Sequence, residues 1–128
     1  MTLDETQARA LIDRIFSADR ARDLQAFLAL LAPDVVLRIG GQPELHGTAA
    51  IGAAIGGLFG MVAGIEHTLL ELWRGPGSLA WQASVTFTLP KGGSVTLPYA
   101  NVARFAPGGL IAEYRIHADF GPLMAALA

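Results

Sequence analysis

The chain contains no cysteine, which excludes thiolate nucleophiles, disulfide staples and thiolate metal sites. Charge is sparse as well: charged residues make up 16% of the 128, and the formal net charge is only −2. No lysine and arginine cluster interleaves with aromatic residues, so nucleic acid is not an expected partner. The opening stretch MTLDETQARALIDR carries acids where a secretory signal wants cations, and it has no apolar core. A soluble, cytoplasmic protein is therefore expected. Repeats, low-complexity tracts and linkers are also lacking, so one domain spanning 1–128 is expected.

What the chain does have is apolar surface, at 52% of its residues, enough for a packed core. One run, AAIGAAIGGLFGMVAGI at residues 49 to 65, has no charge at all. Its glycines 52, 56, 60 and 64 recur every fourth residue, as in closely packed membrane helices. A membrane span needs about 20 apolar residues, and this run is shorter and ends at Glu66 and His67. Ile51, Ile55, Leu58, Phe59 and Val62 form one helical stripe, so the run reads as a helix lying against a sheet, with no membrane partner. Its glycines serve either close approach or ligand space.

Two further helices precede it. Residues 4 to 18 place Ala8, Leu11, Ile12, Ile15 and Phe16 on one face, and a second helix runs from about Asp23 to Leu31, ahead of Pro33. DVVLRIG reads as a short strand, and Thr48 as the cap of the apolar helix. From residue 65 the period changes to two. IEHTLLELWR, LAWQASVTFTL, SVTLPYANVARF and LIAEYRIHAD are strands joined by the turns GPGS, PKGG and APGG. Helices followed by an antiparallel meander give an α+β protein with helices on one face of a curved sheet. A concave, mostly apolar site between the layers follows from that arrangement.

Three stretches carry a resemblance: DLQAFLALLAPDVVLRIGGQPELHG, the hairpin into LPYANVARF, and the closing GGLIAEYRIHADFGPL. Through them the chain resembles the nuclear transport factor 2-like superfamily, and within it the SnoaL-like proteins, over essentially its whole length. The resemblance implies a cone-shaped antiparallel sheet around N-terminal helices, a small ligand in the cone, and a homodimer formed through the outer face of the sheet. The middle piece is similar to ketosteroid isomerase around GQPELHG. Counted along that likeness, its carboxylate base falls on Arg38, its tyrosine on Ile15 and its protonated acid on Asn101. An arginine is not a proton acceptor at neutral pH, so that mechanism is not expected. Limonene epoxide hydrolase needs an Arg-x-Asp where this chain has YAN, and an aspartate where it has Ile116. In the SnoaL-like cyclases an aspartate near the chain end moves a proton beside a carbonyl, and Asp119 matches its position.

The resemblance thus implies cofactor-independent isomerisation, cyclisation or dehydration of a partly apolar carbonyl compound, with a non-catalytic ligand-binding protein of the same fold as the alternative. A third reading is an interaction module whose cone is filled by its own side chains. Asp119 is the expected acid/base, or else a strand-end turn residue. Asn101 and Tyr99 share a strand face and either donate to a ligand oxygen or satisfy one another. Arg38 interrupts an apolar strand, as an anchor for an anionic ligand or as a side chain that snorkels outward. Trp81, Phe59 and Phe87 supply the apolar wall. Tyr114 faces the cone with Ile116 and Ala118, which turns Arg115 and His117 outward, and a bulge would reverse that parity for Asp119 but not for Arg115; His117 is a proton shuttle in one reading and an interface residue in the other. His46 fixes a loop and His67 begins a strand. With no paired histidine spacing, a metal site is not expected.

Overall fold

The computed structural model describes all 128 residues. Helix α1 spans Glu5–Ala21 and starts in a capping box, in which Asp4 accepts the Gln7 amide at 2.8 Å and Gln7 accepts the Asp4 amide at 3.0 Å. Each contact satisfies an amide that the first helical turn leaves free. The helix ends at Arg22, the one non-glycine residue with a positive φ (50°). In that left-handed turn the Arg22 guanidinium donates to the Val62 carbonyl at 2.6 Å. The next helix, α2 (Leu24–Leu28), is capped by Asp23, which accepts the Ala26 amide at 3.1 Å.

Strand β1 (Leu31–Ile39) begins where the sequence pattern predicts the second helix still to run. Its pairing shifts register between Leu31 and Val36, around Pro33, which has no amide to give a ladder. Strand β2 (Leu45–His46) leads into α3 (Gly47–Met61). The cap position of α3 is His46 rather than Thr48, and no side chain caps it. The remaining strands are β3 (Gly64–Gly75), β4 (Ser78–Thr88), β5 (Ser94–Phe105) and β6 (Ile111–His117), and the chain closes with α4 (Gly121–Leu127). That last helix was not foreseen. Pro122 is compatible with its first turn, and Leu123 is fully buried.

The six strands lie in the order β2-β1-β6-β5-β4-β3. Neighbours are antiparallel except β1 and β6, which run parallel. The meander β3 to β6 is antiparallel as expected, and β1 adds one parallel pair at β6: the sheet is curved and mixed, with the N-terminal helices in its hollow. No helix is long and apolar enough to cross a membrane.

The glycines of α3 divide by role. A Cβ on Gly52 or Gly56 would stand 3.4 Å and 3.3 Å from Leu28 and Leu24, so these two allow α2 to pack closely. Gly57 and Gly60 face open space and lower helix stability without a packing return. Gly57→Ala with Gly60→Ala is expected to raise unfolding stability by about 1–2 kcal/mol. Urea denaturation checks this; a loss of stability would show that these positions contact something when the protein is in solution.

Candidate functional site

The buried stripe of α1 runs through Ala8, Ile12, Ile15 and Phe16, and one turn further along it stands Asp19. Opposite, the inward row of β3 runs Ile65, His67, Leu69. The two polar exceptions in these apolar rows meet. His67 Nε2 lies 2.8 Å from Asp19 Oδ2, and Nδ1 lies 2.6 Å from the Tyr99 hydroxyl on β5. The His67 and Asp19 side chains are only 10% and 15% exposed. Phe16 stacks on the imidazole at 4.6 Å, nearly parallel, and the Tyr99 ring meets its edge. Ala83 on β4 stands directly opposite Tyr99, and a small residue there leaves space for the larger ring.

Hydrogen-bond chemistry orders the protons. A carboxylate only accepts, so in the neutral imidazole Nε2 carries the hydrogen donated to Asp19, and Nδ1 accepts from the Tyr99 hydroxyl. Burial pushes the Tyr99 phenol well above its ordinary value, and the Asp19 charge pushes the same way. The Trp81 indole moderates that rise, although its N–H makes no hydrogen bond of good geometry. Tyr99 therefore stays a phenol at neutral pH. Tyr114 is raised too, chiefly by complete burial.

The relay opens on a cavity of about 60 Å³. Its wall includes Ile15, Phe59, Phe87 and Tyr114, and the Asn101 side chain joins it. Asn101 is 4% exposed. Its amide donates to the Tyr114 hydroxyl at 3.2 Å, and its carbonyl oxygen has no partner. No lysine or arginine lines the cavity, and Asp19 is its one carboxylate. His67 and Asp19 are engaged with one another, and no third metal-ligating side chain joins them.

Of the residues singled out from sequence, Tyr99, Asn101, Tyr114, Phe59 and Phe87 line this cavity. Trp81 is fully buried behind the lining, edge-on to Tyr114 at 5.9 Å. Arg38 is not an anion anchor in the cone. Val35 and Leu37 point inward, so strand alternation turns Arg38 outward, where it lies 3.7 Å from Glu44. A count along a relative's motif does not fix the face, because one residue of register reverses it. His117 likewise is exposed and outside the cavity. Asp119 is exposed beyond the end of β6, and its Oδ1 accepts the Gly121 amide at 2.9 Å, the geometry of a turn residue. Sequence reasoning missed Asp19 and gave His67 no role. The available signal was one polar residue on each of two apolar faces.

A fold of this geometry can be matched to known proteins. The chain belongs to the SnoaL-like domain family, whose model matches residues 11–114. Among curated proteins none matches the chain. Among solved structures it is similar to an NTF2-like protein of unknown function from Burkholderia pseudomallei, with 22% identity and a TM-score of 0.81 over 94% of this chain and 97% of that one. It is also similar to an LEH-like epoxide hydrolase from Mycobacterium tuberculosis (17%, 0.76, 95% and 90%). A third neighbour is a M. tuberculosis protein in complex with estradiol-17β-hemisuccinate (20%, 0.75, 88% and 93%). At these identities the likeness establishes the fold.

Proposed function

We propose that this protein is an acid/base enzyme that takes an uncharged, partly apolar carbonyl compound into the cone and moves a proton beside the carbonyl. The outcome is isomerisation, cyclisation or dehydration, and the proton transfer itself needs no cofactor. The observation that carries this reading is the Asp19–His67–Tyr99 relay opening on an apolar cavity.

Both ring nitrogens of His67 are engaged and Phe16 covers one face, so Tyr99 is the group that meets the substrate. As the Tyr99 oxygen takes a proton from the carbon beside the carbonyl, its own hydrogen passes to His67 Nδ1. The bond electrons left on carbon move into the carbonyl as an enolate, and Asp19 balances the imidazolium. Return of that proton to another carbon isomerises the substrate; loss of a β-hydroxyl as water dehydrates it. Asn101 is the second polar contact in the cavity. An anionic ligand does not suit this wall, because no cation lines it and Asp19 repels negative charge.

The test is exchange of α-hydrogens for deuterium in neutral aryl ketones and cyclic enones, followed by NMR. Exchange is expected with the native protein and with Arg38→Ala or Asp119→Asn, and a loss of about 10²–10⁴-fold with Tyr99→Phe. Exchange retained in Tyr99→Phe would assign the base elsewhere.

The neighbour bound to an estradiol ester supports a second reading, ligand binding in the cone without turnover. Under it Tyr99→Phe changes affinity, and no exchange occurs in any form of the protein. In either reading we place a homodimer on the outer face of the sheet, where half-exposed Trp73 lies in register with Ala80 and Val102 on the next two strands. Sedimentation velocity measures the stoichiometry.

A further inference from the structure

The cavity holding the relay is too small for a whole substrate. At about 60 Å³ it is under half of the ~150 Å³ that accommodates a benzene ring. It can hold a carbonyl and one or two carbons. Directly outside lies an open groove of about 730 Å³, within the range of about 300–1,000 Å³ that suits drug-sized ligands. The two spaces share Leu58, Ala118 and Phe120 as walls, and the Phe120 ring, 6.2 Å from Phe87, stands between them. Met61 and Met124, 43% and 45% exposed, line the groove from α3 and α4. Such side chains adapt their shape to an apolar surface. Asp119 is the groove's one charged residue. With Asp19 inside and Asp119 outside, neither chamber offers a cation.

We propose that the substrate is an elongated, uncharged carbonyl compound bound at two subsites: its carbonyl end enters the inner chamber past Phe120, and its apolar body lies in the groove against Met61 and Met124. The inference rests on reading the inner chamber as a carbonyl site. It assigns specificity to residues remote from the proton relay. Asp119, expected from sequence to be the acid/base, here screens out anionic ligands and is open to a hydroxyl donor on the ligand body.

The experiment is calorimetric binding of acetophenone, 4-acetylbiphenyl, 4′-acetylbiphenyl-4-carboxylate and its methyl ester at neutral pH. The biphenyl ketone is expected to bind about tenfold or more tightly than acetophenone, because its second ring buries further apolar area. The methyl ester is expected to bind about tenfold more tightly than the carboxylate, and Asp119→Lys to remove that difference. Met124→Glu, at an exposed position that tolerates charge, should weaken 4-acetylbiphenyl by about tenfold and acetophenone, whose single ring reaches less far along the groove, by less; Met61→Glu provides the same test from α3. Equal binding of the short and long ketones, tighter binding of the carboxylate than of its ester, or long-ketone affinity indifferent to both glutamates would overturn the two-subsite inference. The failures separate cleanly. A length preference without α-hydrogen exchange sinks the catalytic reading alone, and exchange without a length preference sinks this one alone.

Discussion

His67→Ala is expected to cost about 3 kcal/mol of stability and to abolish proton transfer in the same step. The stability loss follows from what the imidazole satisfies. Asp19, 15% exposed at its side chain, loses its 2.8 Å partner, and Tyr99 loses the acceptor of its hydroxyl at 2.6 Å. Breaking a buried pair costs about 3–5 kcal/mol, because it strands a charge in a poorly solvated place. The residual exposure of Asp19 puts the expectation at the lower end. Loss of the Phe16 stack adds to it. Asp19→Asn separates the two effects. The amide oxygen still accepts from Nε2, so stability should fall by only about 1 kcal/mol, while the imidazolium loses its counter-charge and exchange falls by about 10²-fold or more. A double-mutant cycle between the two positions, measured by urea denaturation, should give a coupling of about 1 kcal/mol or more. A coupling of zero would dissolve the relay into two unrelated residues.

The second large effect is alkaline. The chain has two tyrosines, both buried, at 6% and 3% exposure, and burial raises the pKa of each. Unfolding returns them to an ordinary value of about 10. The sign follows from proton counting. Below about pH 10 both states keep their phenol protons, and the stability that tyrosine protonation confers is complete. Above it the unfolded chain releases two protons that the folded chain retains, so stability falls with rising pH. The slope is about 1.4 kcal/mol per pH unit for each tyrosine, or about 2.7 for the pair. Phenolate absorbance should therefore stay absent near pH 10 and then appear for both tyrosines together, coincident with loss of far-ultraviolet circular dichroism. Tyr99→Phe should halve the slope. Reversible phenolate formation near pH 10 in the folded protein would show that one ring is open to water.

Much of the architecture was legible because it rests on local pattern. The period of two in LAWQASVTFTL placed Trp81, Ala83, Val85 and Phe87 on one face, and all four are buried. The same parity predicts that Tyr114, Ile116 and Ala118 face the cavity, as they do. Arg38 was misread because strand parity depends on register. Counting along a relative's motif is uncertain by a residue, and one residue turns a side chain through the sheet. Likewise, the parallel pairing of β1 with β6 joins segments far apart in sequence, which no local period reports.

The site divides along the same line. From sequence alone follow the α+β class, the SnoaL-like resemblance, an apolar cone, and Tyr99 and Asn101 on one face of one strand. All of these depend on composition or on spacing within a single element. Only the tertiary structure brings Asp19 from the end of a helix to His67, 48 residues later, and brings both to Tyr99. It also turns Arg38 and His117 away and leaves Asp119 at the mouth. The physical reason is that a buried polar residue is stable only with a partner. Sequence can mark the odd polar residue on an apolar face, but packing alone decides which two such residues meet.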